Sequence, residues 1–288
     1  MRDLNYQLKQ LCRRNRDGSY ATQADRERML SLFANQLHEM GFRHMRADSL
    51  KPKHVEALVE RWKAEGISTG TFKNRLSVLR WWAEKIGKPN VVARDNDAYG
   101  IERRQYVTNR DKGKDLDQGQ LDRVRSPYVA MSLRLQEAFG LRREEAIKIR
   151  PAWADEGNAL RLRQSWTKGG RERVLPIRTE EQRAVLNEAK TLAAGASLIP
   201  SVSNYKQQLN AYKAECQRAG LNGNHGLRHR YAQTRYFEKA GWQCPSRGGP
   251  TKKQLTPEQR SIDERVRLEI SLELGHGRGQ VTSNYLGR

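Results

Sequence analysis

Residues 225–229 read His225-Gly226-Leu227-Arg228-His229, and residues 274–276 read Leu274-Gly275-His276, with Tyr285 nine positions further on. Two more stretches precede them. Residues 140–145 read Gly140-Leu141-Arg142-Arg143-Glu144-Glu145, and residues 167–174 read Thr167-Lys168-Gly169-Gly170-Arg171-Glu172-Arg173-Val174. Each has an ordinary structural explanation when taken alone: a helix start, an exposed turn, a helical face, a packing tyrosine. Their order and their chemistry make a set. His225 and Arg228, three apart, share one face of a helix. Glu145 lies one helical turn from Arg142.

Outward from these stretches, the pattern of apolar residues is mostly helical. Helices are expected from about Pro127 to Phe139, then after a break at Gly140 from Leu141 to Ile149, and over Glu180–Leu192, Asn204–Ala219, Leu227–Ala240 and Glu258–Leu274. Between them, Leu160, Leu162, Val174, Leu175 and Ile177 flank the Thr167-Lys168-Gly169-Gly170 turn and predict a β-hairpin. Residues 245–257, rich in Gly, Pro, Lys and Thr, read as an exposed loop. The first part of the chain is also helical. Met29, Leu30, Phe33, Leu37 and Met40 recur at helical spacing, Pro52 sits near a helix start, and Phe72, Leu76, Leu79, Ala83 and Ile86 form a later stripe. Lys73, Arg75 and Arg80 line the opposite face and are the candidate DNA contacts of that helix. Arg171 and Arg173 on the hairpin are the others. Trp81 and Trp82 read as core or rim. The expected division is a helical domain over 1–87, a polar linker over 88–114, and a mixed, mainly helical domain with a small sheet over 115–288.

Charge narrows the function. The 288 residues carry 54 Lys+Arg against 33 Asp+Glu, a formal net charge of +21. The excess is +9 through Arg110 and +12 beyond it, so it is no basic tail. Self-repulsion of this size suits a polyanionic partner. Three scattered cysteines, Cys12, Cys216 and Cys244, fit a reducing compartment better than a disulfide framework or a zinc cluster. The N-terminus has no apolar leader segment, and no apolar run reaches membrane-spanning length. A cytoplasmic, DNA-facing protein is the expectation.

The quoted residues suit chemistry at a phosphodiester. Guanidinium groups match the charge that develops on phosphoryl oxygens. A tyrosine hydroxyl can attack phosphorus and hold a strand covalently. A lysine or histidine can protonate the leaving oxygen. With no acidic cluster for two metal ions in view, no metal or cofactor is expected.

The set resembles that of the tyrosine recombinases, the family of phage integrases, Xer-type resolvases and mobile-element integrases. The specific motifs cover about Asp115 to Arg288. Over the N-terminal part the resemblance rests on a basic helical domain of suitable size. It implies a C-shaped clamp made of a core-binding domain and a catalytic domain. It also implies that Arg142 and Arg228 clamp the scissile phosphate, and that Lys168 is the general acid for the 5′-hydroxyl. His225 would assist proton transfer, His276 would donate a hydrogen bond to the phosphate, Tyr285 would form a 3′-phosphotyrosine link, and Glu145 would orient the site. The implied partner is double-stranded DNA, bound by four protomers on two sites. Off DNA the chain would be a monomer or dimer, with an accessory DNA-bending or directionality protein as a further partner. Two features depart from the family pattern: the 48-residue spacing from Arg228 to His276, and only three residues after Tyr285. The alternatives are a type IB topoisomerase-like enzyme, a non-catalytic site-specific DNA-binding protein, and a basic RNA- or ribosome-binding protein.

Overall fold

The computed structural model describes residues 3–103 and 105–288. The chain forms two compact units, Met1–Gln105 and Tyr106–Arg288.

The first unit contains α1 (Asp3–Arg14), α2 (Tyr20–Glu39), α3 (Pro52–Ala64) and α4 (Thr69–Lys85). Their starts follow from local chemistry. Ser19 Oγ accepts the Thr22 N–H and Ser68 Oγ accepts the Thr71 N–H, capping α2 and α4. Pro52 occupies the first turn of α3, where its missing N–H costs nothing. Apolar stripes then bury Leu30, Phe33, Leu37, Leu58, Trp62, Leu76, Leu79 and Trp82 in one core. Both buried indoles have acceptors, Gln36 Oε1 for Trp62 at 2.9 Å and the Ala47 carbonyl for Trp82 at 2.8 Å. Trp81 lies at the rim under the Arg26 guanidinium.

The second unit opens with the short α5 (Gln118–Asp122), then α6 (Pro127–Phe139), α7 (Arg143–Lys148) and α8 (Pro151–Ala154). A hairpin of β1 (Ala159–Leu162) and β2 (Arg173–Pro176) follows. The helices α9 (Glu180–Ala193), α10 (Tyr205–Ala219), α11 (His225–Ala240), α12 (Pro257–Glu273) and α13 (Ser283–Leu286) complete it. The two strands are antiparallel, with Leu160 opposite Leu175 and Leu162 opposite Arg173. The unit is thus mainly helical with a two-stranded sheet. Leu135, Phe139, Leu160, Leu162, Leu175, Leu186, Tyr236 and Ile270 sit in its main core. Gly140 ends α6 in the left-handed region, φ 59°, and aims the chain into α7. A Cβ there would fall 2.6 Å from the Tyr231 ring, so the position needs glycine for space as well as for φ.

Of the polar stretch 88–114, Val92 and Ile101 are buried with the first unit. Asp111 and Lys114 are bonded to Gln233 and Gly226 of the second. The 245–257 segment is only in part the exposed loop expected. Ser246 and Leu255 are buried, and a Cβ on Gly249 would collide with the Gln243 carbonyl. Its turns fold inward because Ser246 has work there: its hydroxyl donates to the Tyr285 carbonyl at 3.2 Å. Among the described residues no helix is long and apolar enough to cross a membrane.

Candidate active site

Four elements of the second unit converge. The turn from α6 to α7 carries Arg142, and the first turn of α7 carries Glu145. The first turns of α11 carry His225 and Arg228. The segment just after α12 carries His276, and α13 carries Tyr285.

Arg228 is 1% exposed. Its Nη1 donates to the Gly140 carbonyl at 2.5 Å and its Nη2 to the Leu274 carbonyl. Its Nε donates to Tyr285 Oη at 3.3 Å. All three acceptors are neutral. Burial, with the neighbouring Arg142 and Arg173 charges, pulls its pKa down to about 10, against the opposing influence of Tyr285 and Glu145. The side chain is still cationic at neutral pH.

Arg142 approaches the phenol by way of His276. Its Nη2 reaches the Leu274 carbonyl at 3.2 Å and His276 Nε2 at 3.4 Å. That same Nε2 is 3.2 Å from Tyr285 Oη. A guanidinium has no lone pair to offer, so Nε2 is the acceptor and the ring proton is on Nδ1. Burial and the cations Arg228, Arg142 and Arg173 pull the His276 pKa down to about 4, which keeps the ring neutral. Tyr285 Oη therefore donates to His276 and accepts from Arg228. The residue itself is 6% exposed, and its backbone carbonyl is held by Gln233 and Ser246.

Glu145 is fully buried. Its carboxylate accepts the Arg142 backbone N–H at 2.7 Å and Arg142 Nη1 at 2.8 Å. It also takes a two-pronged bond from Arg173, at 2.9 and 2.8 Å. Burial alone would raise its pKa. Arg173, then Arg142 and Arg228, outweigh that and hold the carboxyl below its ordinary value.

A cleft of about 730 Å³ is lined by Arg142, Glu145, Lys168 and His225, with Tyr205 and Lys213 from α10 on its wall. Lys168 is exposed on the hairpin turn. That turn is closed by Thr167 Oγ1 donating to the Arg171 carbonyl at 2.7 Å. His225 is exposed at the start of α11, 6.0 Å from the Tyr285 ring centre. The protein packed about it, then Arg228 and Arg142, lowers its pKa. His229 is buried, 4.7 Å from the phenol ring, with an unpartnered Nδ1 and a pKa pulled down to about 4 chiefly by burial.

Of the expected DNA contacts, three are engaged within their own units. Arg173 was expected on a wet strand face but is 7% exposed. The strand period explains it: Arg173 is in phase with Leu175, faces inward opposite Leu162, and leaves Val174 outside. Arg75 lies over the Trp62 ring and pairs with Glu65 at 3.4 Å. Arg80 is bonded to the Ala93 carbonyl and Asn96 Oδ1, pinning the chain that follows α4. Arg171 is exposed, and Lys73 is half-buried with no partner among the described residues. The residues that sequence reasoning missed are Arg173 as the partner of Glu145, and Gln233 and Ser246 behind Tyr285. Only Arg173 had a signal, its phase relative to Leu175.

Two family models match the chain. The family described as "Phage integrase, N-terminal" matches residues 1–92, and the family described as "Integrase" matches residues 104–234. No curated protein sequence matches the chain. Among solved structures, a lambda integrase dimer bound to a COC′ core site aligns with a TM-score of 0.63 at 14% identity, covering 98% of this chain and 76% of that one. A lambda integrase tetramer bound to a Holliday junction aligns at 0.62 and 14%, covering 98% and 76%. The Tn1549 transposon integrase, residues 82–397, in complex with circular intermediate DNA aligns at 0.53 and 14%, covering 100% and 96%. At these identities the likeness is one of fold.

Proposed function

The chain belongs to the phage-type integrase family of tyrosine recombinases, enzymes that break and rejoin DNA strands, and from that premise we propose how its own residues carry out site-specific recombination. The observation that carries the reading is the phenol of Tyr285, hydrogen-bonded at once by buried Arg228 and by His276, with Arg142 against the same histidine nitrogen.

In this reading the scissile phosphate enters between Arg142 and Arg228, whose charge exceeds that of Glu145 and is compensated by the incoming anion. Tyr285 Oη attacks phosphorus while its proton passes to His276 Nε2. The protonated Nε2 then donates to a phosphate oxygen. The bond from phosphorus to the 5′ oxygen breaks, and Lys168 supplies that oxygen with a proton. The products are a 3′-phosphotyrosine and a free 5′-hydroxyl. His225 helps position the phosphate and move protons. Glu145, held by Arg173, keeps Arg142 in place. Rejoining is the same path in reverse, with a 5′-hydroxyl of the partner strand as nucleophile. DNA is the substrate, four protomers on two sites are the working assembly, and the cytoplasm is the place of action. The basic surface makes affinity fall steeply with salt, because each neutralised phosphate releases counterions.

The test is capture on a randomised pool of nicked duplexes, in which cleavage releases a short fragment and traps the protein on the strand. A shifted, protease-sensitive band on a denaturing gel is expected for the wild type and none for Tyr285→Phe, which still retards the captured duplex on a native gel. An undiminished adduct in the variant, or none with the wild type, contradicts the reading.

A further inference from the structure

Arg228 rests on two backbone carbonyls, Gly140 and Leu274, that belong to segments far apart in the chain. One side chain touches both segments. Tyr231 packs its ring against Gly140, close enough that no Cβ would fit between them. Its hydroxyl donates at 3.1 Å to Glu273 Oε2, the residue before Leu274. Glu273 is held further by Arg235, whose Nε and Nη2 donate to its two oxygens at 2.9 and 2.7 Å. Arg228, Tyr231 and Arg235 lie at i, i+3 and i+7 on α11, on one helical face.

We propose that Tyr231, with Glu273 and Arg235, is a positioning device that fixes the two carbonyls on which the Arg228 guanidinium is seated, and so fixes that guanidinium against the phenol. This rests on the reading of Arg228 as a phosphate clamp. Tyr231 touches neither phosphate nor nucleophile; it acts through Arg228. A guanidinium is a planar fork whose three directions of donation are rigidly related. With Gly140 and Leu274 fixed, the third direction, toward Tyr285, is fixed as well. Burial, followed by the Glu273 charge, pushes the Tyr231 pKa up to about 12, so its hydroxyl keeps the proton it donates. If the Tyr231–Glu273 bond is lost, Arg235 alone holds Glu273, the chain at Leu274 gains room to shift, and Arg142 loses register too because it shares that carbonyl.

The experiment uses the full chain and a nicked duplex of the captured sequence, with adduct formation followed in single turnover at saturating protein. Tyr231→Phe keeps the ring on Gly140 and removes only the hydroxyl. Its rate should fall roughly tenfold, within the range known for small misplacements of reacting groups. Its melting temperature and DNA Kd should stay near those of the wild type. Glu273→Gln should lose rate as well but melt lower, because it also strands the buried Arg235 guanidinium, and the double variant should be no slower than the slower single one, since both act on the Tyr231–Glu273 contact. A duplex with a methylphosphonate at the scissile position adds a readout that a packing role would not move. With a neutral methyl in place of one charged oxygen, the gap between Tyr231→Phe and wild type should shrink to about twofold. An unchanged rate in Tyr231→Phe overturns the inference while leaving the recombinase reading intact. A gap that persists on the methylphosphonate, or a loss of rate matched by equal losses in melting temperature and affinity, overturns it too. If the wild type forms no adduct on either duplex, both fall together.

Discussion

The surface of the first unit and the candidate active site of the second handle arginine in opposite ways. In the first, Arg61 pairs with Glu39 and Glu65, and Arg75 pairs with Glu65 while lying over Trp62. Charges are matched, the carboxylates are open to solvent, and the network ties α2, α3 and α4 together at their surface. In the second, Arg142 and Arg173 converge on one buried carboxylate, Glu145, and Arg228 has only neutral acceptors. Exposed pairs add little to stability. A buried guanidinium without its own anion is costly to maintain, and the pKa of Arg228, pulled down to about 10, reflects that cost. Nothing in packing calls for such an arrangement. The phosphate of the proposed function would. In the proposed reading, the contrast separates Arg61 and Arg75, which tie helices together, from Arg142 and Arg228, which await the phosphate.

The largest effect that sharpens this contrast is expected at Arg228 itself. Arg228→Lys keeps a charge but cannot reach two carbonyls and the phenol together, and cleavage in single turnover should fall about 10²–10³-fold, as for loss of one preorganised donor. Arg75→Lys in the first unit should leave that rate unchanged; a comparable loss there would erase the distinction. Next come the carboxylates. Glu145→Gln strands Arg173 beside an uncharged amide and should cost about 3–5 kcal/mol in denaturant unfolding. Glu65→Gln should cost less than about 1 kcal/mol. Equal costs would show that burial does not set the difference.

Acidity provides a third comparison. The pKa values of His229 and His276 are pulled down to about 4, from an ordinary 6.5. The unfolded chain therefore takes up protons first as the pH drops, so the stability these histidines confer is complete above about 6.5 and is lost between there and about 4. Thermal melts should be flat with pH above 7 and fall below 6.5, and His229→Asn should remove part of that fall. The contribution of His54 in the first unit, also lowered by burial and then by Lys53 and Lys51, should persist in that variant. A fall of unchanged depth would contradict the assignment. The smallest effect expected is at a helix cap. Ser68→Ala should cost about 1 kcal/mol of stability, read in the melt, and leave cleavage at saturating protein untouched.

Much of this was legible in the sequence, for reasons that differ by element. The span of α6, Pro127–Phe139, followed from its apolar pattern and the break at Gly140, because left-handed termination is local. The hairpin followed from its turn. Arg142, Glu145, Arg228, His276 and Tyr285, named from three of the four short stretches, form one connected chain of hydrogen bonds, and Lys168 and His225 line the same cleft. What was not legible depended on distant packing. Tyr231 and Glu273 are 42 positions apart, and nothing local in either predicts their bond. The 245–257 segment has the composition of a solvent loop, yet Ser246 reaches the backbone of Tyr285. Basic residues on the face of α4 looked equivalent by spacing, whereas Arg75 and Arg80 are engaged within the unit and Lys73 is not.

The account depends most directly on which atom takes the DNA. Protease digestion of the trapped complex, followed by mass spectrometry of the nucleotide-bearing peptide, locates that bond. The nucleotide should be found on Tyr285 and on no other residue, attached through its 3′-phosphate. A nucleotide on a different side chain, or attachment through a 5′-phosphate, would contradict the account.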